Sequence, residues 1–385
     1  MRIGIIAHLK HAIGEPFAGG LEMHTDLLAR SLRDRGHDVT LFASTASQPA
    51  DGLEAICDAT AMVGIGLEEA DDVVFFKEHH AYLSLMMELR RRDFDVIHNN
   101  SLHYLPVVLA DTLPMPVVTT LHTPPFCWLE SGIRLGRANS STFVAVSQSI
   151  HRSWAHVASI KRVISNGIDL QRFAYRAHAD QQPYLVWFGR IVPEKGLHLA
   201  IDAANMLDME LRIAGPVLDD EYYLIRIRPQ LSQRIRHLGH LDHRALSAVV
   251  AGARAFVCSP QWEEPYGLVV AEALACGVPV ASFARGAIPE ILDRSCGVLA
   301  TPDDAASLAH AAHDAQRLHR RDCRHRAEAF CDARHMVDSY EALYRQLTAR
   351  RPGKAAEPIQ ILAAADRTID PAPLSAQDVL AEAQP

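Results

Sequence analysis

The feature that most constrains this chain is a rhythm that runs, breaks once and runs again. Short apolar stretches alternate with longer stretches of helical spacing. Apolar runs that short read as strands buried on both faces, and strands that alternate with helices form parallel sheets with right-handed crossovers. From the start, the expected elements are strand 2–7, helix 21–35, strand 37–43, helix 78–92, strand 94–98, helix 102–111, strands 116–121 and 142–146, helix 148–157 and strand 162–165. In helix 21–35, Leu21, Leu27, Leu28 and Leu32 share a stripe that Gly36 stops. The rhythm breaks at Asn166-Gly167-Ile168-Asp169, and residues 174–183 are polar without periodicity, as a linker would be. It then resumes with strand 184–188, helix 196–207, strand 210–214, helix 220–231, strand 234–238, helix 243–252, strand 254–258, helix 267–276, strands 279–283 and 297–300, and helices 303–317 and 321–348. The expected fold is therefore α/β, with two Rossmann-like, doubly wound parallel-sheet domains facing across a cleft. Residues 1–172 form the first half and 173–334 the second. A C-terminal helix at 335–350 is expected to pack back on the first half. The tail 351–385, rich in Ala, Pro and Asp, is expected to be disordered.

At 385 residues and 49% hydrophobic content, two ordinary cores are affordable. A formal charge of −8 and a pI near 6.2 exclude nucleic acid as the main partner, because a phosphate backbone calls for a basic face. Any anionic ligand must be met by local cations and N–H groups. The seven cysteines are scattered without a Cys-x-x-Cys pair, which suits reduced thiols in the cytoplasm. The apolar run at the N-terminus is too short for a secretory signal, and no later run could span a bilayer, so a soluble protein is expected.

Two stretches carry the chemistry. In FGRIVPEKG (188–196) a buried strand ends at Gly189, and Arg190 and Lys195 stand in the following turn, where they can converge on a diphosphate. In 258–277 a strand runs into a loop with Glu263 and Glu264, a Pro265-Tyr266-Gly267 turn, and a helix that carries Glu272. A strand end followed by a helix N-terminus is where open α/β sheets hold anions. Gly19-Gly20 opens the first helix, but the G-x-G-x-x-G dinucleotide pattern is absent. His122 follows strand 116–121. Ser147 reads as a helix N-cap and His98 as structural. Asp93-Phe94-Asp95 spells D-x-D but leads into a strand, so it reads as fortuitous; no metal site and no cofactor are expected. The stretch 77–92 could touch an anionic membrane surface, although a core-facing amphipathic helix with a solvated basic end is the preferred reading.

Together FGRIVPEKG, NGID (166–169), LHTP (121–124) and EPYGLVVAE (264–272) resemble the retaining glycosyltransferases of family 4, glycosyl transferases group 1, with the GT-B fold. The resemblance spans roughly residues 1–348. It departs at 285–290, where Arg285 stands in place of the usual first glycine and Ala287 intervenes. It implies a metal-independent hexosyltransferase that retains anomeric configuration, using a nucleoside-diphosphate sugar (a UDP-sugar in preference to a GDP-sugar) and an acceptor hydroxyl. The donor sugar is a substrate and not a cofactor. By the same resemblance, Arg190 and Lys195 would hold the pyrophosphate, Glu264 would meet the donor sugar, and Glu272 would meet the ribose. Backbone groups at Gly189, Pro265, Tyr266, Gly267, Leu268 and Val269 would complete the donor site. His122 would support positive charge at the reacting carbon, and Gly19 and Gly20 would let the backbone approach the phosphates. Departure of the diphosphate from the face the acceptor attacks would need no protein nucleophile. Two alternatives stay open: a sugar-nucleotide epimerase or hydrolase of the same fold, and a non-catalytic sugar-nucleotide-binding protein. The acceptor should meet the first half, where His8, His11, Phe126, Trp128 and Glu130 are candidates.

Overall fold

The computed structural model describes residues 1–48, 52–57, 72–137 and 140–349; the tail at 351–385 lies outside them. The first half is built on seven parallel strands: β1 (Arg2–Ile6), β2 (Asp38–Ser44), β3 (Leu53–Cys57), β4 (Val96–Asn99), β5 (Val117–Leu121), β6 (Ser141–Ala145) and β7 (Ile160–Val163). Their order is β3-β2-β1-β4-β5-β6-β7. Its helices are α1 (Gly20–Asp34), α2 (Val73–Leu89), α3 (Tyr104–Val108), α4 (Cys127–Leu135) and α5 (Gln148–Trp154). The second half has six parallel strands, β8 (Tyr184–Phe188), β9 (Glu210–Ala214), β10 (Ile235–His237), β11 (Ala255–Cys258), β12 (Val280–Phe283) and β13 (Gly297–Ala300), ordered β10-β9-β8-β11-β12-β13. Its helices are α6 (Leu197–Met206), α7 (Asp220–Tyr222), α8 (His243–Gly252), α9 (Leu268–Ala275), α10 (Ile288–Ile291), α11 (Ala305–Ala315) and α12 (Arg320–Arg326). α13 (Ala333–Ala349) closes the described chain.

Among the elements that the sequence periodicity misses or misplaces, four show a plain physical reason. Edge strand β3 carries only the mixed stretch LEAIC, which lacks the apolar run of a central strand. α4 is nine residues long and begins just after Pro124-Pro125. α2 starts at Val73, earlier than expected, because Asp72 caps it by accepting a hydrogen bond from Phe75 N at 2.9 Å. It also ends before its basic residues: Arg92 turns away to pair with Glu54 at 2.6 Å. The expected single helix over 321–348 is broken at Asp332. There Ile168 N donates to Cys331 O at 2.8 Å and Ala333 N donates to Ile168 O at 3.0 Å. Backbone that pairs with Ile168 as a bridge cannot also be helical.

Beyond that bridge, α13 lies on the first half. Met336, Val337, Tyr340, Leu343 and Tyr344 share a buried cluster with Ile3, Ile5 and Val96. Tyr340 and Tyr344 also carry their hydroxyls into the core. Tyr340 Oη lies 3.0 Å from Thr120 Oγ1, and His98 is held between Tyr344 Oη (2.6 Å from Nδ1) and Thr120 Oγ1 (2.7 Å from Nε2). Burial, with His24 nearby, pushes His98 down to about 3, so the imidazole is neutral and needs both partners. His98 is thus a structural residue.

Tyr344→Phe should leave one buried imidazole nitrogen unpaired and lower stability by about 1–3 kcal/mol. Urea unfolding checks this, and an unchanged midpoint would show that the bond contributes nothing.

Candidate active site

In an open parallel sheet the loops leaving two adjacent strands diverge where the strand order reverses, and the gap admits a ligand. Each sheet here has one such point, between β1 and β4 in the first half and between β8 and β11 in the second. The loops at the second reversal are the two stretches that the sequence singles out.

After β8, Gly189 N still donates to Ala214 O at 3.0 Å; Arg190 and Lys195 then occupy the turn into α6. After β11 come Trp262, Glu263 and Glu264. The two loops are tied together. Lys195 Nζ donates to Glu264 Oε2 at 2.7 Å and sits 4.8 Å from the centre of the Trp262 ring, while Trp262 Nε1 donates to the same carboxylate oxygen at 2.9 Å. Trp262 escaped the sequence reading, although its place two residues before Glu264 was a usable signal. Arg190 is less restrained: its guanidinium is 3.8 Å from Glu194 and half-exposed.

The Pro265-Tyr266-Gly267 turn is buried. The Tyr266 ring lies in the core beside Cys331, so only its backbone is available to a ligand; the expectation of a donor contact does not extend to its side chain. Gly267, at φ +101°, takes a backbone conformation that side chains resist and thereby aims the first turn of α9. The N–H groups of Gly267, Leu268 and Val269 have no earlier helical carbonyl to bond. One turn on, Glu272 is buried. Desolvation raises its carboxyl to about 8, with Arg172 pulling the other way.

The first half faces this site with the start of α1. Gly20 is required for close approach: a Cβ there would fall 2.6 Å from Leu268 Cδ1, so the helix starts α1 and α9 meet across the two halves. At the end of β1, His8 Nδ1 lies 3.5 Å from Glu22 Oε1. His11 is held below its usual value chiefly by burial, with His8, Arg190 and Lys10 adding to it and Glu22 opposing. Arg190 of the second half is therefore within electrostatic reach of His11 in the first. His122, buried at the end of β5, has Nε2 2.9 Å from Asn100 Oδ1, which sets Nε2 as the donor and leaves Nδ1 as an acceptor. Burial, with His24, His98 and His8 nearby, keeps it neutral. His24 packs edge-on to it at 4.8 Å, a neighbour that the α1 pattern concealed among core positions.

Other expectations are also located. Ser147 accepts from Ile150 N at 3.1 Å as the cap of α5. Asp95 accepts from Arg2 N at 2.7 Å, and Asp93 pairs with Arg2 at 2.6 Å, which puts the D-x-D at the strand ends opposite the cleft. Arg285, in place of glycine, pairs with Asp303 and lies 3.4 Å from Glu263. Farther along that loop, Glu290 reaches the first half and accepts from Gln148 N at 2.9 Å and Ser149 N at 2.8 Å. No helix among the described residues is long and apolar enough to cross a membrane.

Residues 18–172 match the model of glycosyltransferase family 4 and residues 169–329 that of glycosyl transferases group 1. The chain belongs to this glycosyltransferase family. Glycogen synthase of Mycobacterium tuberculosis is 28% identical over 338 residues, spanning 76% of this chain and 81% of the relative. Sucrose-phosphate synthase of Thermosynechococcus elongatus superposes with a TM-score of 0.74 at 21% identity, over 91% of this chain and all of its own. Anabaena HepE, solved in complex with UDP-glucose, superposes at 0.66 with 17% identity, over 90% of this chain and all of its own. The two sheets and these neighbours establish the GT-B fold. As a family 4 glycosyltransferase the protein is an enzyme of the hexosyltransferase type.

The raised Glu272 carboxyl yields a stability prediction. Its folded-state value lies above the unfolded one of 4.5, so burial costs nothing below about pH 4.5 and progressively more as pH rises toward 8. Glu272→Gln should therefore stabilise the protein at pH 8, on the order of a few kcal/mol, and hardly change its stability at pH 4.5. Thermal unfolding across pH checks this, and a pH-independent difference would contradict it.

Proposed function

We propose that this glycosyltransferase moves a hexosyl group from a nucleoside-diphosphate sugar to an acceptor hydroxyl with retention of anomeric configuration, a UDP-sugar being preferred to a GDP-sugar. The observation that carries the reading is the convergence, at one strand-order reversal, of two cations and a helix start, opposite the Gly19-Gly20 helix start of the other half. HepE, of the same fold, is solved with UDP-glucose, which favours a uridine donor.

In this reading Arg190 and Lys195 take the pyrophosphate with the N–H groups of Gly267, Leu268 and Val269. Charge that develops on the departing diphosphate meets groups already oriented toward it, and such preorganisation is often the largest catalytic contribution. Two cations and a helix terminus supply what a metal would otherwise supply, so the reaction is metal-independent. Lys195 and Glu264 hold each other in the ligand-free site. Donor binding transfers Lys195 to phosphate and frees Glu264 for the hydroxyls of the sugar, and Glu272 receives the ribose hydroxyls. Neutral His122 presents a lone pair, not a charge, which suits a reacting carbon that becomes positive. The acceptor attacks from the side of the departing phosphate, whose oxygen takes the hydroxyl proton. Seven free thiols, six of them buried, fit action in the cytoplasm.

Thermal shift against uridine, guanosine and adenosine diphosphates should give its largest response with UDP, lost in Arg190→Ala and Lys195→Ala. No response to any of the three would overturn the donor site. Turnover should survive EDTA, and the product anomer read by NMR should match that of the donor; an inverted product would remove the retaining assignment. Lys195→Ala should lower kcat/KM by about 100-fold or more, whereas binding without turnover on any acceptor would favour the non-catalytic alternative.

A further inference from the structure

The first half carries a group of rings at the margin of its core that the donor site does not absorb. The start of α2, the loop into α3 and the start of α4 all lie at the carboxyl ends of the strands, on the cleft side. They bring together Phe75, His79, His103, Tyr104 and Trp128. Phe75 and Trp128 have ring centres 5.3 Å apart; Tyr104 stacks on Trp128 at 5.9 Å and on His103 at 4.7 Å. Tyr104 Oη lies 3.0 Å from His79 Nδ1, which fixes that ring's edge and orientation. Trp128 is nonetheless 50% exposed, a large ring face left in water.

Polar groups beside the rings are left incomplete. His103 Nε2 is shut off from solvent without a hydrogen-bond partner. Three residues back, Asn100 is fully buried and bonds His122 through Oδ1, yet its Nδ2 has no partner. His8 lies within electrostatic reach of both His103 and His122, so the rings and the proposed reaction centre share a neighbour. A buried polar atom without a partner is costly, and a ligand that supplies the missing bond recovers that loss.

We propose that these rings form the acceptor platform, and that the acceptor is a polyhydroxylated ring, a sugar residue or a cyclitol, whose C–H face lies on the exposed face of Trp128, backed by Tyr104. An aromatic face is electron-rich and attracts the polarised C–H groups of such a ring. The hydroxyls at the edge of the ligand turn toward His103 and Asn100, and one of them is carried to His122. A lipid chain would find imidazoles and a phenol interleaved with the apolar faces, which suits a carbohydrate better. This inference rests on the glycosyltransferase reading and extends it to the substrate.

Titration with maltotriose, mannobiose and myo-inositol, followed by tryptophan emission, tests it. At least one of these should quench or shift the wild-type signal, and Trp128→Phe should abolish that change. In Trp128→Ala and Tyr104→Ala the thermal shift with UDP and the slow hydrolysis of donor to water should match wild type. The KM for the responding carbohydrate as acceptor should rise about tenfold, the scale of one stacked ring, with kcat little changed. Emission indifferent to every carbohydrate, or changed only by phosphatidylglycerol vesicles, would overturn the platform. So would loss of the UDP response in both alanine variants while Trp128→Phe behaves as wild type in every assay. Should UDP fail to bind the wild type while Trp128 still responds to a carbohydrate, the donor reading falls and the platform stands.

Discussion

Lys195 and Glu264 belong to loops that leave neighbouring strands in opposite directions, and the 2.7 Å bond between them holds those loops in register. The pair is mostly buried, its carboxylate also accepts from Trp262, and the Trp262 ring lies beside the ammonium group. A charge pair removed from water is retained only with good geometry and added hydrogen bonds, and losing one partner is severe because the other charge is stranded. Either member of the pair is therefore released only to a replacement of the right charge. In the proposed reading a pyrophosphate replaces the carboxylate for Lys195, and sugar hydroxyls replace the ammonium for Glu264. On that reading, selection of a charged and hydroxylated donor would follow from the exchange.

The two halves meet through a shared buried core and through named polar contacts above it. One buried cluster spans them, joining Leu121, Val146 and Trp154 of the first half to Tyr184, Phe256 and Val270 of the second. Over that core, Gly20 meets Leu268, and Glu290 caps α5 from across the gap. A carboxylate on a helix N-terminus gains from the free N–H groups and from the helix dipole. The Ile168 bridge to Asp332 brings the chain back to the first half, so α13 is part of its core and not an appendage.

Central strands were legible because burial on both faces demands unbroken apolar residues; β8 and β9 have the bounds that their runs suggest. Edges and short pieces were not. β3 rests on one neighbour and needs fewer apolar residues, and α4 is held by packing on α3 more than by any pattern of its own. The placement of Arg190, Lys195, Glu264 and Glu272 beside one strand-order reversal was legible since their spacing follows strand-loop-helix geometry. Trp262, His24 and Asn100 were not, because each acquires its role from a residue distant in sequence or from a partner that no motif marks.

What the sequence alone determined is local in origin: two doubly wound sheets, the loops at their carboxyl ends, and the charged residues those loops carry. Periodicity and turn chemistry act between residues a few positions apart, so they can be read from a string. Only the tertiary structure decided which charges are already paired, that Glu272 is buried enough to hold its proton near neutrality, that the Tyr266 side chain turns inward, and that rings from three helices gather at the mouth of the cleft. Those properties depend on the desolvation and distance of groups far apart along the chain, which no local pattern encodes.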